Sequence, residues 1–367
     1  MGRMRNGWGG AMVTGQEASW GVAALVDEPA ALIAAFAAYH LERGAAQVHL
    51  CLDRPNPEAR DLLAALPGVV VTESGADGWR FHGVGKRPQK HLGRQKYHAS
   101  RVLAETKLDW IVHCDADEFV QPVAGESIGA ALGAVRQGAS WAKIPVAERA
   151  HLTGAPEPDL FQGVFRLPWD DFESRGARIY GDATMLLLHG GLCGHRLGKA
   201  AVRSGRGLFA GVHRPMRDWK GADREIPVEG LKTLKLLHFD GLTELHYALK
   251  MMRRALNALS DKPPSHGASR RLQYLTMAEE ATNVAHLHEQ YAATKAIDAE
   301  QAEALEKLGV LGRWQPEIAE RTARVFGRAI DLSPAAFDRA LLRHEREMIL
   351  RAAQTFGFDP LPLVSSA

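Results

Sequence analysis

Residues 20–53 read WGVAALVDEPAALIAAFAAYHLERGAAQVHLCLD, two apolar runs separated by one amphipathic stretch. Trp20 to Val26 is an unbroken apolar run, the pattern of a strand buried on both faces. Asp27-Glu28-Pro29 ends it. Pro29 suits the first turn of a helix, where its missing N–H has no partner to lose. Leu32, Ile33, Phe36 and Tyr39 recur at helical spacing up to Gly44, a C-cap residue. Gln47 to Leu52 is a second strand, closed by Asp53. Pro55 to Leu66 reads as a helix and Val69 to Thr72 as a third strand. Strand, helix, strand, helix, strand favours a parallel sheet with crossover helices, the α/β class.

Outward from this opening, Ser74 to Gly93 is a looser stretch rich in glycine, lysine and arginine. Gln95 to Thr106 is helical, with Tyr97, Val102 and Leu103 inward. Leu108 to Cys114 is a fourth strand that runs straight into Asp115-Ala116-Asp117-Glu118-Phe119. A helix over 128–135 and a strand over 140–146 follow. From 147 to 230 short apolar runs, such as Met185 to Leu188 and Leu208 to Val212, read as strands among long loops. Leu234 to Phe239 is one more strand. After Asp240-Gly241 the chain turns helical, over 242–259, 271–294, 299–308, 317–330 and 334–355, with Ser333-Pro334 as a cap and first-turn pair. The expected division is a disordered leader over 1–18, an α/β domain over 19–241 and a helical region over 242–367.

Composition narrows the function. Apolar residues make up 46% of 367, enough for a sizeable core. A formal charge of +2 gives no bulk signal for nucleic acid. Cys51, Cys114 and Cys193 are odd in number and far apart, against a disulfide framework or a cysteine zinc site, and fit a reducing cytoplasm. No run reaches the roughly 18 apolar residues a membrane span needs. Met1 to Gly10 lacks the apolar core of a signal peptide.

The chemistry concentrates in DWIVHCDADEF, residues 109–119. An apolar strand delivers acids to its carboxyl end, the edge where open parallel sheets bind ligands. In extended chain, residues two apart share a side, so Asp115 and Asp117 are expected to face one point. Three acids in four positions repel unless a cation neutralises them. Oxygen ligands so placed suit Mg²⁺ or Mn²⁺ with positions open to phosphate. A solvated acidic turn is the alternative.

This segment, with Gln95-Lys96-Tyr97 on the preceding helix, resembles family-2-type glycosyltransferases of the GT-A fold. It is closest to the subgroup with a D-W-[IV]-x-x-x-D-[AT]-D-E-F core. LLHFDGLTELHYALKMMRR, residues 236–254, and the stretch from Gly198 to His213 are similar to the same subgroup. The resemblance spans roughly residues 20–255. It implies that Asp27, at the end of the first strand, and Asp53, at the end of the second, contact the nucleoside. It implies that Asp115 lies near ribose and metal, that Asp117 binds the metal, and that His213 completes the metal or diphosphate site. Departure of a nucleoside diphosphate also calls for cations; Lys90, Arg94, Lys96, Lys199 and Arg203 are candidates.

An inverting transfer needs a carboxylate to take the acceptor's proton. Trp169-Asp170-Asp171-Phe172-Glu173-Ser174 is similar to the subgroup's W-x-x-F-G-S, with Glu173 replacing glycine. Glu173 or Asp171 is the expected base, Glu118 a further candidate, and Trp169 a platform for a sugar ring. The loop Gly190-Gly191-Leu192-Cys193-Gly194-His195 is a flexible turn or a phosphate cradle. The expectation is a cytoplasmic, Mn²⁺- or Mg²⁺-dependent transferase, with contact at the inner membrane face left open. It takes a nucleotide-sugar donor, a UDP-sugar first, and a glycan, polysaccharide or lipid-linked acceptor. A non-catalytic nucleotide-sugar or glycan binder and a metal-dependent nucleotidyltransferase are the rival readings.

Overall fold

The structure is a computed structural model that describes residues 17–219, 225–260 and 266–366. Most of the expected leader, residues 1–16, lies outside the described residues. Thirteen strands are formed among the described residues: β1 (Trp20–Val26), β2 (Gln47–Leu52), β3 (Val69–Glu73), β4 (Trp110–His113), β5 (Glu118–Pro122), β6 (Trp141–Ile144), β7 (Val146–Leu152), β8 (Val164–Arg166), β9 (Lys199–Arg203), β10 (Val228–Gly230), β11 (Leu234–His238), β12 (Ala296–Ile297) and β13 (Leu311–Gly312). They make two mixed sheets.

The first sheet has the order β10-β6-β9-β4-β1-β2-β3. β3, β2, β1 and β4 are parallel, as the alternation of apolar runs predicts. β9 runs antiparallel between β4 and β6. β1 is buried along its whole length, because helices cover both faces of this part of the sheet. One of these, Ala30–Glu42, buries ten of its thirteen residues and is apolar nearly all round. Pro29 stands at its N-cap, one place earlier than expected, and Gly44 takes φ +92° just past its end.

The second sheet has the order β13-β8-β7-β11-β5, with β12 on β7. Much of it falls where the sequence shows no clear period. Glu148, Arg149 and Arg166 in β7 and β8 are fully buried, so charge interrupts what would otherwise read as apolar strands. Met185 to Leu188, read as strand, belongs instead to the helix Asp182–Leu187. Leu208 to Val212 forms only an isolated bridge, Phe209 to Met216. The two longest expected C-terminal helices are each broken in two, into Ala268–Glu279 with Val284–Lys295 and Pro334–His344 with Arg346–Phe356. The helical region is stitched into the sheets: β12 and β13 join β7 and β8, and Arg321 and Arg324 of helix Ile318–Phe326 pair with Glu42. Among the described residues no helix is long and apolar enough to cross a membrane.

The acid segment is where the two sheets meet. β4 ends at His113, Asp115 to Glu118 makes a turn closed by Glu118 N–H donating to the Asp115 carbonyl at 3.0 Å, and β5 starts the second sheet. Phe119 fixes that turn, with its ring against Phe36, Tyr39, Phe161 and Phe239 at centroid distances of 5.2–5.9 Å.

Candidate active site

β1, β2 and β4 end on the same edge of the first sheet, so Asp27-Glu28, Asp53 and Asp115 to Glu118 gather there. β1 lies between β2 and β4, which leave it in opposite directions. That reversal of strand order opens a crevice at the carboxyl ends.

The helix His91–Glu105 spans the edge with consecutive residues. Arg94 grips both oxygens of Asp53, with Nε to Oδ1 at 2.7 Å and Nη2 to Oδ2 at 2.6 Å. Arg87 adds a bond to Oδ1 at 2.9 Å. Burial would raise the pKa of Asp53, but hydrogen bonds from His91 and Arg94 and the arginine charges hold it well below the usual carboxylate range. Gln95, the next residue, bonds Asp115 Oδ1. Lys96 makes no polar contact with these acids among the described residues.

Asp115 Oδ2 accepts from Lys199 Nζ at 2.8 Å, and Glu118 Oε2 lies 3.1 Å from the same ammonium. Lys199 and Glu118 are both fully buried. Burial opposes each charge, yet the two carboxylates raise Lys199 far above its usual value, and Lys199 holds Glu118 down to about 2. Lys199 opens β9, the antiparallel strand, which is how a residue 84 positions away returns to the acid turn. Gly198 makes the return possible. It sits at φ +68°, and a Cβ there would fall 2.1 Å from the Ile144 carbonyl oxygen. Gly198→Ala is therefore expected to cost about 2 kcal/mol or more, read as a fall in the urea midpoint.

Asp117 turns the other way. Its Oδ2 accepts from Lys250 Nζ at 2.8 Å, and Lys250 also reaches Asp240 Oδ1 at 2.8 Å. Asp240 Oδ2 holds Arg270 at 2.7 Å and Lys295 at 3.1 Å, so three C-terminal helices converge on one buried carboxylate. The turn geometry removes the strand parity on which a common facing of Asp115 and Asp117 rested. Among the described residues, ligand atoms of three acids or histidines lie within 4.8 Å of one another in two groups, Glu118–His195–His238 and Asp117–His238–Asp240. Either could hold a metal ion. The expected trio of Asp115, Asp117 and His213 is not such a group. His213 donates from Nδ1 to the Gly198 carbonyl at 2.9 Å, and its ring lies 4.3 Å from that of His195. Burial, His195 and Lys199 lower its pKa to about 4, which keeps it neutral at pH 7.

Asp27 is bound by Arg54, Nε to Oδ1 at 2.7 Å, so its carboxylate is committed. Among the described residues no cation pairs with the Glu28 carboxyl, which accepts from its neighbour's backbone, Asp27 N–H at 2.7 Å. Burial, then the charges of Asp117, Asp27 and Asp115, push it up to about 8. A folded value above the unfolded 4.5 means that the native state holds the extra proton between those values. Glu28 thus contributes stability that is complete below pH 4.5 and is lost as pH rises through 8. Glu28→Gln keeps the hydrogen bond and removes the titration. In chelator-treated protein it is expected to flatten this decline and to be the more stable form at pH 8.5, by on the order of 1–3 kcal/mol in urea unfolding.

Asp171 and Glu173 stand apart. Both are exposed on a short helical turn, Phe172–Arg175, and neither bonds to the acid cluster among the described residues. Trp169 is buried against Phe172, so it is an anchor and not a free platform. Arg203 stacks over Trp110 at 4.3 Å, at the far end of β9. The 190–195 loop does cradle an anion, but an internal one: Cys193 and Gly194 N–H groups donate to the Glu148 carboxylate at 2.7 and 2.6 Å. Lys250, Asp240, Arg270 and Lys295 were not expected at the site. Asp240 and Lys250 fall within the 236–254 segment, which gives no sign that they pair, and Arg270 and Lys295 read as lone basic residues on solvated helices.

No family model matches this chain, and no curated protein sequence matches it. Among solved structures it is similar to HddC from Yersinia pseudotuberculosis, at 10% identity and a TM-score of 0.30, over 59% of this chain and 92% of that one. A likeness so remote bears on neither substrate nor mechanism.

Proposed function

We propose that this chain is a glycosyltransferase of the GT-A type, moving a sugar from a nucleotide donor, a UDP-sugar first, to a hydroxyl of a glycan or lipid-linked acceptor. One observation carries the reading. Three neighbouring parallel strands bring acids to one edge at a reversal of strand order, and an antiparallel strand returns a buried lysine to the same place. The acid run 109–119 and its likeness to family-2 enzymes agree with it.

The chain's own groups supply most of the electrostatics. As the sugar leaves, the diphosphate gathers negative charge, and fixed cations that need no reorganisation stabilise it. Lys250 beside Asp117, the arginines held by Asp53, and Arg54 on Asp27 are partly exposed cations at this edge. Both Asp53 oxygens are taken, so its action on the nucleotide runs through Arg87 and Arg94. The expected ligands Asp115 and Asp117 already carry ammonium partners, and with His213 they do not converge, so no step is assigned to an ion held by that trio. Proton acceptance falls to a carboxylate outside the paired network. Asp171 and Glu173 are exposed enough to meet an acceptor.

The test is release of nucleoside diphosphate from a panel of nucleotide sugars, with and without glycan acceptors. Acceptor-dependent release supports the reading. Binding of UDP without turnover favours a binder. Pyrophosphate release from a nucleoside triphosphate and a sugar phosphate favours a nucleotidyltransferase.

A further inference from the structure

We propose that Glu118, His195 and His238 form a binding site for one divalent transition-metal ion of the Mn²⁺, Co²⁺ or Zn²⁺ class. β5 and β11 are antiparallel neighbours, and their register places His238 directly opposite Glu118. Directly opposed residues project from the same face with Cβ atoms about 5 Å apart. His195 comes from the 190–195 loop, which Glu148 pins by two backbone hydrogen bonds. Its ring stacks on His238 at 5.2 Å.

The polar atoms of this group lack partners. Glu118 Oε1, His195 Nδ1 and His238 Nδ1 are buried without a hydrogen bond among the described residues. Buried polar atoms are rarely left so. His195 Nε2 lies 3.5 Å from Glu118 Oε1. That is long for a hydrogen bond, but two donors bound tetrahedrally to one ion at about 2.0–2.1 Å stand about 3.3 Å apart. The other oxygen of Glu118 is oriented by Lys199 and by the Asp115 N–H at 2.8 Å, the outer support that metal carboxylates ordinarily have. His213, whose Nδ1–H is given to a backbone carbonyl, keeps Nε2 as an acceptor beside His195.

Charge points the same way. Asp115, Asp117 and Glu118 are three carboxylates on one turn, and the ammonium groups on them are two, Lys199 and Lys250. The negative charge left over favours a bound cation. The neighbouring group of Asp117, His238 and Asp240 offers less. Asp240 already holds Lys250, Arg270 and Lys295, which an ion would have to displace. Imidazole ligands select first-row transition ions over Mg²⁺.

The experiment titrates the full-length, chelator-stripped protein with Co²⁺, followed by its visible absorption, and with Mn²⁺, followed by loss of the free-ion EPR signal. One ion per chain is expected. His195→Ala and Glu118→Gln should each weaken binding by about 100-fold or more, beyond the loss that outer-shell changes cause. Asp117→Asn removes a neighbouring charge but no ligand, so it should weaken binding less than either of these changes does. Melting of each metal-free variant shows that it is folded; should Glu118→Gln not fold, His195→Gln gives the second loss. Absence of binding to wild type overturns the site. So does binding that survives His195→Ala, or binding lost in Asp117→Asn and kept in His195→Ala. The readout is binding alone, so it stands apart from whether the chain transfers sugar.

Discussion

Lys199→Met is expected to lower the unfolding free energy by about 3–5 kcal/mol, the cost of leaving buried charge without its partner. The ammonium is fully buried and touches Asp115 at 2.8 Å and Glu118 at 3.1 Å. Methionine fills similar volume and restores no charge. Glu118 cannot turn to solvent, because it too is fully buried. Its carboxyl must then take up a proton, so the loss should be smaller at pH 5 than at pH 8. Adding Glu118→Gln to Lys199→Met should return part of the stability. Equilibrium urea unfolding of the three proteins at both pH values checks this. A wild-type midpoint in the single variant would mean that Lys199 does not neutralise the acid turn.

If the proposed transfer runs at this edge, Asp117→Asn should have the opposite profile: turnover of the nucleotide-sugar donor falls about 10²–10³-fold, while stability falls less than in Lys199→Met. Asp117 shares Lys250 with Asp240, and Lys250 keeps that second carboxylate at 2.8 Å when the first is neutralised. No buried cation is stranded. What changes is the charge and aim of Lys250 at the sheet edge, the place assigned to the leaving diphosphate. Steady-state kinetics beside a thermal melt separates the two effects. Equal turnover in the variant would move the reaction away from this edge.

The parts of the site that were legible in the sequence are those written by short-range pattern. β1, β2, β3 and β4 announce themselves as apolar runs, and the acids that close β1, β2 and β4 follow them directly. That alternation predicts their parallel pairing; it does not give their order in the sheet. Asp115 and Asp117 lie at the carboxyl edge of β4 but turn to different ammonium partners, because parity holds in a strand and fails in the turn that joins β4 to β5. The partners of the acids were illegible for another reason. Lys199 returns on an antiparallel strand, and Lys250, Arg270 and Lys295 arrive on helices 133 residues and more beyond Asp117. Nothing local marks a lysine as buried. The region after 147 reads poorly because β7 and β8 carry Glu148, Arg149 and Arg166 inward, where a periodic pattern would place apolar residues.

The convergence of Lys250, Arg270 and Lys295 on Asp240 makes the C-terminal third a counter-ion reservoir for the sheet edge. Trimming the chain at Gly241 would therefore not leave a smaller unit with its acids balanced. The truncated piece would keep Lys199 on Asp115 and Glu118, but Asp117 and Asp240 would lose the cations that let them stay ionised in the interior.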